Sequence, residues 1–200
     1  MLTYGVPKEP VLAIILIGVA VVLVVFLALV ATRPSAYHVE RKLEVAAPTD
    51  IVFGVLNDLR QFAGVLVLFG TPWEKLDPNM KRTLSGSPSG TGSIYEWDGN
   101  SKAGKGRMEI TDAPAPSKVT IKLDFFKPFE SHNTAEFKLE PRGDTTELTW
   151  AMYGPNLFIG RVMSIFFDMD KMIGKDFETG LANLKTLAEQ KPADATTSRR

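Results

Sequence analysis

Aromatic and sulfur-containing side chains recur at alternate positions in the second half of this sequence. Tyr95 and Trp97 are two residues apart, so on a strand they face the same way. Together with similar positions in later segments, they could line an apolar pocket for a ligand. The candidate pocket residues are Tyr95, Trp97, Met108, Phe125, Phe137, Trp150, Met152, Met169, Met172 and Phe177. The same positions would equally suit the ordinary core of a sheet packed on a helix.

The titratable side chains offer little chemistry. The chain has no cysteine, which excludes disulfides, thiolate catalysis and cysteine-based metal sites, and its two histidines are too few for a histidine-rich site. Either His38 or His132 could act as a general base, but an isolated loop histidine is more often polar surface. We therefore predict no catalytic residue, no metal site and no cofactor.

Two patterns resemble functional motifs but lack their context. The Gly-Lys-Gly-Arg sequence of Gly104–Arg107 lies within a strand pattern and opens no helix, so it predicts a bulge or hairpin edge rather than a phosphate loop. Four carboxylates alternate with apolar positions and are expected on a solvated outer face, where they cannot form a catalytic pair. These are Glu96, Glu109, Asp124 and Glu136.

An uninterrupted apolar run, Val11–Ala31, comes near the start of the chain. Its 21 residues carry no charge and would form a helix ~32 Å long, close to the ~30 Å hydrocarbon core of a bilayer. The alternative is a signal peptide, whose apolar region is shorter and has basic residues before it. We predict a single-pass membrane helix between a lead over residues 1–10 and a linker, Thr32–Ala36. The basic residues that closely follow the span favour a cytoplasmic domain.

An amphipathic helix over Asp168–Gln190 is the element on which the fold must close. Its apolar residues recur at steps of three and four, Asp168 suits the N-cap, and Pro192 ends the pattern. So wide an apolar face needs a partner. We expect its Met169–Phe177 end to face a cavity and its Leu181–Leu187 end to seal the core.

Alternating segments supply that partner as a meander of antiparallel strands with one apolar face. Before the meander, Tyr37–Ala46 is a predicted strand and Ala47–Leu68 contains two short helices. Val65–Phe69 is unusually apolar and is interpreted as core, with contact to the bilayer as the alternative. The predicted strands are Met80–Ser87, Gly92–Asp98, Ala103–Ala113, Lys118–Phe126, Thr134–Glu140 and Thr145–Tyr153, followed by a short helix, Asn156–Ile165.

The predicted soluble domain spans residues 37–190, and its fold class is α+β, a sheet that lays its apolar face on one long helix. The polar tail, Lys191–Arg200, is expected to be disordered.

The sequence also resembles a known superfamily. The resemblance is carried by VERKLEVAAPTDIVFGVLND, PWEKLDP, SGTGSIYEWDGNSKAGKGRMEI and MIGKDFETGLANLK, and it covers roughly Tyr37–Gln190. These stretches are similar to START-like (SRPBCC) proteins, most of all to those named polyketide cyclase/dehydrase and lipid transport. The resemblance implies a helix-grip fold, in which a curved antiparallel sheet wraps around a long C-terminal helix, with an apolar pocket between them. The family includes ligand carriers, cyclases and aromatases.

Three functions fit these observations. We favour membrane-anchored binding of a lipid or another hydrophobic small molecule. A polyketide cyclase, aromatase or dehydratase-like enzyme is the alternative, and it requires a titratable group in the pocket, such as Tyr95 or His132. The third is a tethered, ligand-free interaction module that uses the outer sheet face or Val65–Phe69. A formal net charge of zero, from 23 basic and 23 acidic residues, argues against a nucleic-acid partner.

Overall fold

The computed structural model describes residues 8–68 and 70–191. In this part of the chain, one seven-stranded antiparallel sheet wraps around a long C-terminal helix, which is the predicted α+β helix-grip arrangement. The elements are α1 (Lys8–Ala31), β1 (Ala36–Val45), α2 (Thr49–Leu56), α3 (Leu59–Val65), β2 (Val67–Leu68), β3 (Thr71–Pro72), α4 (Trp73–Leu76), β4 (Lys81–Gly86), β5 (Ser93–Asp98), β6 (Lys105–Asp112), β7 (Lys118–Lys127), β8 (Ser131–Arg142), β9 (Thr145–Pro155), α5 (Phe158–Phe166) and α6 (Met169–Glu189).

The strand order places several loops at one end of the sheet. The order is β1-β9-β8-β7-β6-β5-β4, while β2 and β3 form a separate ribbon. Ala36 pairs with Pro155, so the first strand starts where the ninth ends. The antiparallel registers bring the β5–β6 loop (residues 99–104) and the β7–β8 turn (residues 128–130) to this same end. We call it the proximal end, because it is the end that follows α1.

The opposite half of the molecule holds the densely filled core. Helix α2 contacts α6 and strands β7, β8 and β9, and buries Val52, Val55 and Leu56 there. Leu181 and Leu184 of α6 are almost fully buried in the same cluster. The C-terminal half of α6 therefore seals the core, as the sequence predicted.

Helix α6 is fixed at its start and along its length. Asp168 is the N-cap, and its side chain accepts a hydrogen bond from the backbone N–H of Lys171 at 3.1 Å. That hydrogen bond lowers the pKa of Asp168, as expected for a carboxylate that caps a helix. At the far end of the helix, Glu189 accepts from the backbone N–H of Ala46 at 2.7 Å.

Arg41 of β1 lies across α6 between these two ends. Its Nη2 is 2.9 Å from Asp170 Oδ2, and its Nε is 3.0 Å from Glu178 Oε1. The guanidinium occupies the space that a side chain at Gly174 would fill. The glycine is therefore what allows Arg41 to reach both carboxylates.

Helix α1 contains the predicted apolar run, Val11–Ala31. This run is long and apolar enough to cross a membrane, and its most apolar window has no buried residue, but a signal sequence would share these properties. In the last turn of α1, Val30 is buried, and the helix contacts α5.

The segment after α3 differs from the prediction. We expected the second short helix or turn to span Leu59–Leu68 and a period of two from Trp73. Instead the chain becomes extended at Leu66, forms the β2–β3 ribbon and then the short helix α4. Gly70 allows the tight reversal because its φ of +71° suits a residue without Cβ. Val65 and Val67 are buried, so the core interpretation holds for both.

The predicted strands of the main sheet are otherwise confirmed. Their ends shift by at most three residues, the largest shift being the start of β8 at Ser131 rather than Thr134. Phe69, most of the predicted lead (residues 1–7) and most of the predicted tail (residues 192–200) lie outside the described residues.

Candidate functional site

A cavity of about 1200 Å³ lies between the sheet and the N-terminal half of α6. Its wall is mostly apolar, and its volume exceeds the ~300–1,000 Å³ that is usual for pockets holding drug-sized ligands. Residues of the linker after α1, the β5–β6 loop, the β7–β8 turn and α5 also belong to the wall, so the cavity reaches the proximal end. Its central apolar residues include Val39, Phe62, Ile121, Leu123, Ala135 and Ile173.

Most of the predicted pocket residues come together here. Those in the cavity wall are Met108, Phe125, Trp150, Met152, Met169, Met172 and Phe177. The rings of Trp150 and Phe177 stack face to face, with centroids 4.0 Å apart and planes 6° apart. Trp150 can lie this close to α6 because residue 180 is glycine, where a Cβ would stand 2.8 Å from the indole ring.

Along α6, the residues that line the cavity end at Phe177. Met169 and Met172 line the cavity, Phe177 lines it and also packs in the core, and Leu181 and Leu184 belong to the core alone. Contact of any of these residues with a ligand stays a prediction.

Tyr95, Trp97 and Phe137 are corrections to the predicted lining. They face the expected side of the sheet, but the structure buries them in the core instead of the cavity wall. Trp97 is enclosed by Trp73 and Phe125, with ring centroids 5.1 and 5.6 Å away. A period of two identifies the apolar face of a strand, but it cannot tell whether that face meets a helix or a void.

The apolar wall contains a polar cluster that was not predicted from the sequence. The Tyr37 hydroxyl donates a hydrogen bond to Asn133 Oδ1 at 2.8 Å, and Asn133 Nδ2 donates to Ser131 Oγ at 3.2 Å. Burial raises the pKa of Tyr37 to about 12, so the phenol stays protonated at neutral pH. A protonated phenol cannot serve as a base, and because its proton goes to Asn133, it can orient a ligand only by accepting a hydrogen bond from it. The sequence did carry one signal for Tyr37. It lies two residues before Val39 on the same strand, so both side chains face the cavity.

A second polar residue of the wall, Asp176, comes from α6 itself. It is 9% exposed and accepts a hydrogen bond from the backbone N–H of Gly70 at 2.7 Å. This bond ties the turn of the β2–β3 ribbon to the cavity side of the helix. The apolar periodicity of α6 gave no sign of it, because the contact is between segments more than a hundred residues apart.

Asp124 is the second correction. It lies on the outer face of β7, as predicted, but it is buried rather than solvated, with 4% of its surface exposed. His132 Nδ1 is 2.8 Å from Asp124 Oδ1, and Lys122 Nζ is 3.0 Å from Oδ2. Burial alone would raise the pKa of Asp124, but the hydrogen bonds from His132 and Lys122 outweigh it and lower the pKa. Neither His132 nor Asp124 belongs to the cavity wall.

The Asp124 carboxylate should make the free energy of unfolding depend on pH in the acid range. Because the folded pKa of Asp124 lies below its ordinary value of 3.8, it contributes stability above pH ~4 that is lost as the pH falls through the lower folded value. In Asp124→Asn, the free energy of unfolding should be lower at pH 6 and should fall less between pH 4 and pH 2.5. Urea titrations of both proteins measure this difference. Parallel pH profiles would contradict the assignment.

The Gly104–Arg107 stretch forms a β-bulge, as predicted. The β6–β7 register shifts between Lys105 and Gly106, and Gly104 has a φ of +67°. Within residues 8–68 and 70–191, no group of three or more histidine or acidic side chains comes close enough together to hold a metal ion.

Comparisons with known proteins agree with this fold. The family model for polyketide cyclase/dehydrase and lipid transport matches residues 36–189. No curated protein matches the sequence. Protein CV1439 from Chromobacterium violaceum is 12% identical with a TM-score of 0.52, covering 80% of this chain and 100% of its own.

Two enzymes with solved structures share the architecture. Norcoclaurine synthase from Thalictrum flavum, solved with dopamine and hydroxybenzaldehyde, is 13% identical with a TM-score of 0.55, covering 78% of this chain and 89% of its own. The Zhui aromatase/cyclase from Streptomyces sp. R1128 is 17% identical with a TM-score of 0.50, covering 77% of this chain and 94% of its own. At these identities the likeness establishes the fold alone. With most of its length matched by the family model, this chain belongs to the polyketide cyclase/dehydrase and lipid transport family.

Proposed function

We propose that this protein is a membrane-anchored binder of a lipid or another hydrophobic small molecule. The observation that carries the proposal is the cavity of about 1200 Å³ with its mainly apolar wall, at the end of the sheet that follows α1. Burying apolar ligand surface in such a space is worth ~25 cal/mol per Å². The Tyr37–Asn133 pair supplies the few polar groups that orient a ligand in pockets of this kind.

The anchor follows from the length and composition of Val11–Ala31. As a membrane span it would hold the cavity within a short linker of the bilayer, where apolar molecules are concentrated. A cleaved signal sequence is the competing interpretation. The mass of the mature protein in isolated membranes distinguishes the two, because cleavage would remove about 3 kDa and release the domain.

Filling the cavity should abolish binding without unfolding the protein. Ala135 lies in the cavity wall on β8, so Ala135→Phe places a ring in the ligand space, and we expect at least a tenfold weaker Kd for a fluorescent fatty acid. The neighbouring Thr134 faces the outer side of the same strand. Thr134→Phe therefore introduces the same ring outside the cavity and should leave the Kd within twofold.

Binding is measured on the full chain held in an amphipathic polymer without detergent, and native mass spectrometry identifies what copurifies. Unchanged affinity in Ala135→Phe, or no hydrophobic ligand in either assay, would refute the proposal.

The second candidate is an enzyme that acts on a cyclic or polyketide-like substrate. The Tyr37, Ser131 and Asn133 cluster favours it, since it places hydroxyl and amide groups in an apolar cavity. A carrier returns its ligand unchanged, whereas an enzyme returns a product. Mass spectrometry of ligands before and after incubation with the protein separates the two.

A further inference from the structure

Large apolar side chains are exposed around the proximal end of the cavity. Helix α5 has no buried residue, and Phe158, Phe166 and the following Phe167 are 62%, 66% and 54% exposed. In the β7–β8 turn, Phe129 is 60% exposed and also lines the cavity. Exposed apolar side chains of this kind mark surfaces that contact a membrane, another protein or a ligand.

Hydrogen bonds join the linker after α1 to the segment that leads into α5. The side chain of Asn156, just before α5, donates to Pro34 O at 3.0 Å, and its backbone N–H donates to Ser35 O at 2.8 Å. Helices α1 and α5 also contact each other. If α1 spans the bilayer, the last turn of α1 lies at the membrane surface. Helix α5 must then lie at the same depth.

The sheet register brings the β7–β8 turn to the same level. Ser131 pairs with Phe125, and the neighbouring strand β9 ends at Pro155, opposite Ala36. Phe129 and α5 thus both stand at the proximal end, on the rim of one cavity. A bilayer that α1 spans would meet both of them at once.

The charges of this rim suit a lipid surface. Arg33, Lys102 and Lys127 belong to the cavity wall at the proximal end, and Arg161 lies on α5, while Asp170 of the wall and Glu130 of the β7–β8 turn carry the opposite charge. Basic residues beside exposed apolar ones are typical of helices that lie in the membrane interface, where anionic lipids attract the cations.

We propose that α5 and the β7–β8 turn form a lip embedded in the membrane surface, so that the cavity opens into the bilayer and takes its ligand from the lipid phase rather than from water. This inference rests on the membrane anchor of the proposed function. It adds that the ligand enters the cavity from the bilayer.

The absence of cysteine allows a direct test with single labels. We would reconstitute the full chain in vesicles of phosphatidylcholine and phosphatidylglycerol, with an environment-sensitive dye on Phe129→Cys, Phe166→Cys or the control Asp144→Cys. Asp144 lies in the β8–β9 turn, at the other end of the 12-residue strand β8, ~40 Å away. Spin-labelled lipids should quench the first two dyes and iodide only the control. Iodide quenching of all three, with no effect of spin-labelled lipid, would overturn the lip.

A transfer assay separates this inference from the proposed function. Phe158→Ser/Phe166→Ser changes two exposed residues outside the cavity wall, so uptake of a fluorescent fatty acid from vesicles should slow at least tenfold while the Kd in amphipathic polymer is unchanged. Equal uptake by variant and wild type would overturn the lip and leave the binding proposal standing. Lipid quenching of the labels without any fatty-acid binding would support the lip and refute the binding proposal.

Discussion

Phe177→Ala should weaken ligand binding by about tenfold to a hundredfold. Phe177 is 5% exposed, belongs to the cavity wall and stacks on Trp150. A ligand can cover little of the ring itself, so we expect the loss to come from the wall, because Trp150 loses the ring that holds it in place there. The expected change in Kd corresponds to ~1.4–2.8 kcal/mol of binding free energy. The same variant should lose ~3–5 kcal/mol of stability, as is usual for a buried phenylalanine.

Leu184→Ala is the matched control for this prediction. Leu184 is 1% exposed on the same helix but lies in the core. Its truncation should cost ~2–5 kcal/mol of stability and leave the Kd of the folded protein unchanged. Urea unfolding gives the stabilities, and fatty-acid titration at concentrations where both variants are folded gives the affinities. Equal losses of affinity would mean that the cavity does not end at Phe177.

The second large effect is expected at a glycine of the bulge. A side chain at Gly106 would overlap the indole of Trp97 and the carbonyl oxygen of Asp124. Trp97 is 1% exposed and the carbonyl belongs to the sheet backbone, so neither can move away easily. Gly106→Ala should therefore destabilise the fold by ~1–3 kcal/mol or more, as overpacking does.

Gly54→Ala is the control: the same substitution there should stabilise the protein instead of destabilising it. Gly54 lies in α2, is exposed, and has no atom within 4 Å of an added Cβ. Alanine there should stabilise the protein by ~0.5–1 kcal/mol, because glycine is costly inside a helix. Thermal and urea unfolding of both variants measure whether each substitution lowers or raises the free energy of unfolding. A neutral Gly106→Ala would show that Trp97 has room to shift.

The order of elements could be predicted from the sequence because each signal is local. The capping by Asp168, the apolar spacing of α6 and the alternation of the strands are all properties of neighbouring residues. The bulge at Gly106 was also visible, as a glycine-rich interruption of a strand pattern.

What could not be predicted depends on contacts between distant segments. Asp124 was expected to be solvated because its alternation is outward, but His132 of the next strand covers it. Trp97 was assigned to the pocket, yet Trp73, from a segment whose helix was not foreseen, packs against it. A sequence period specifies the direction of a side chain and leaves open what it meets.

The position of Arg41 between Asp170 and Glu178 has a consequence for ligand selection. The two carboxylates are eight residues apart, ~12 Å along the axis, and Glu189 holds the other end of the helix on Ala46. Sliding α6 by one turn would break all three bonds and also unpack the buried Leu181 and Leu184, so movement of the helix is a costly way to lengthen or shorten the cavity. It can adjust more easily in cross-section, through flexible side chains such as Met169 and Met172. We therefore expect the protein to tolerate branching, unsaturation or rings in a ligand, because these change its cross-section.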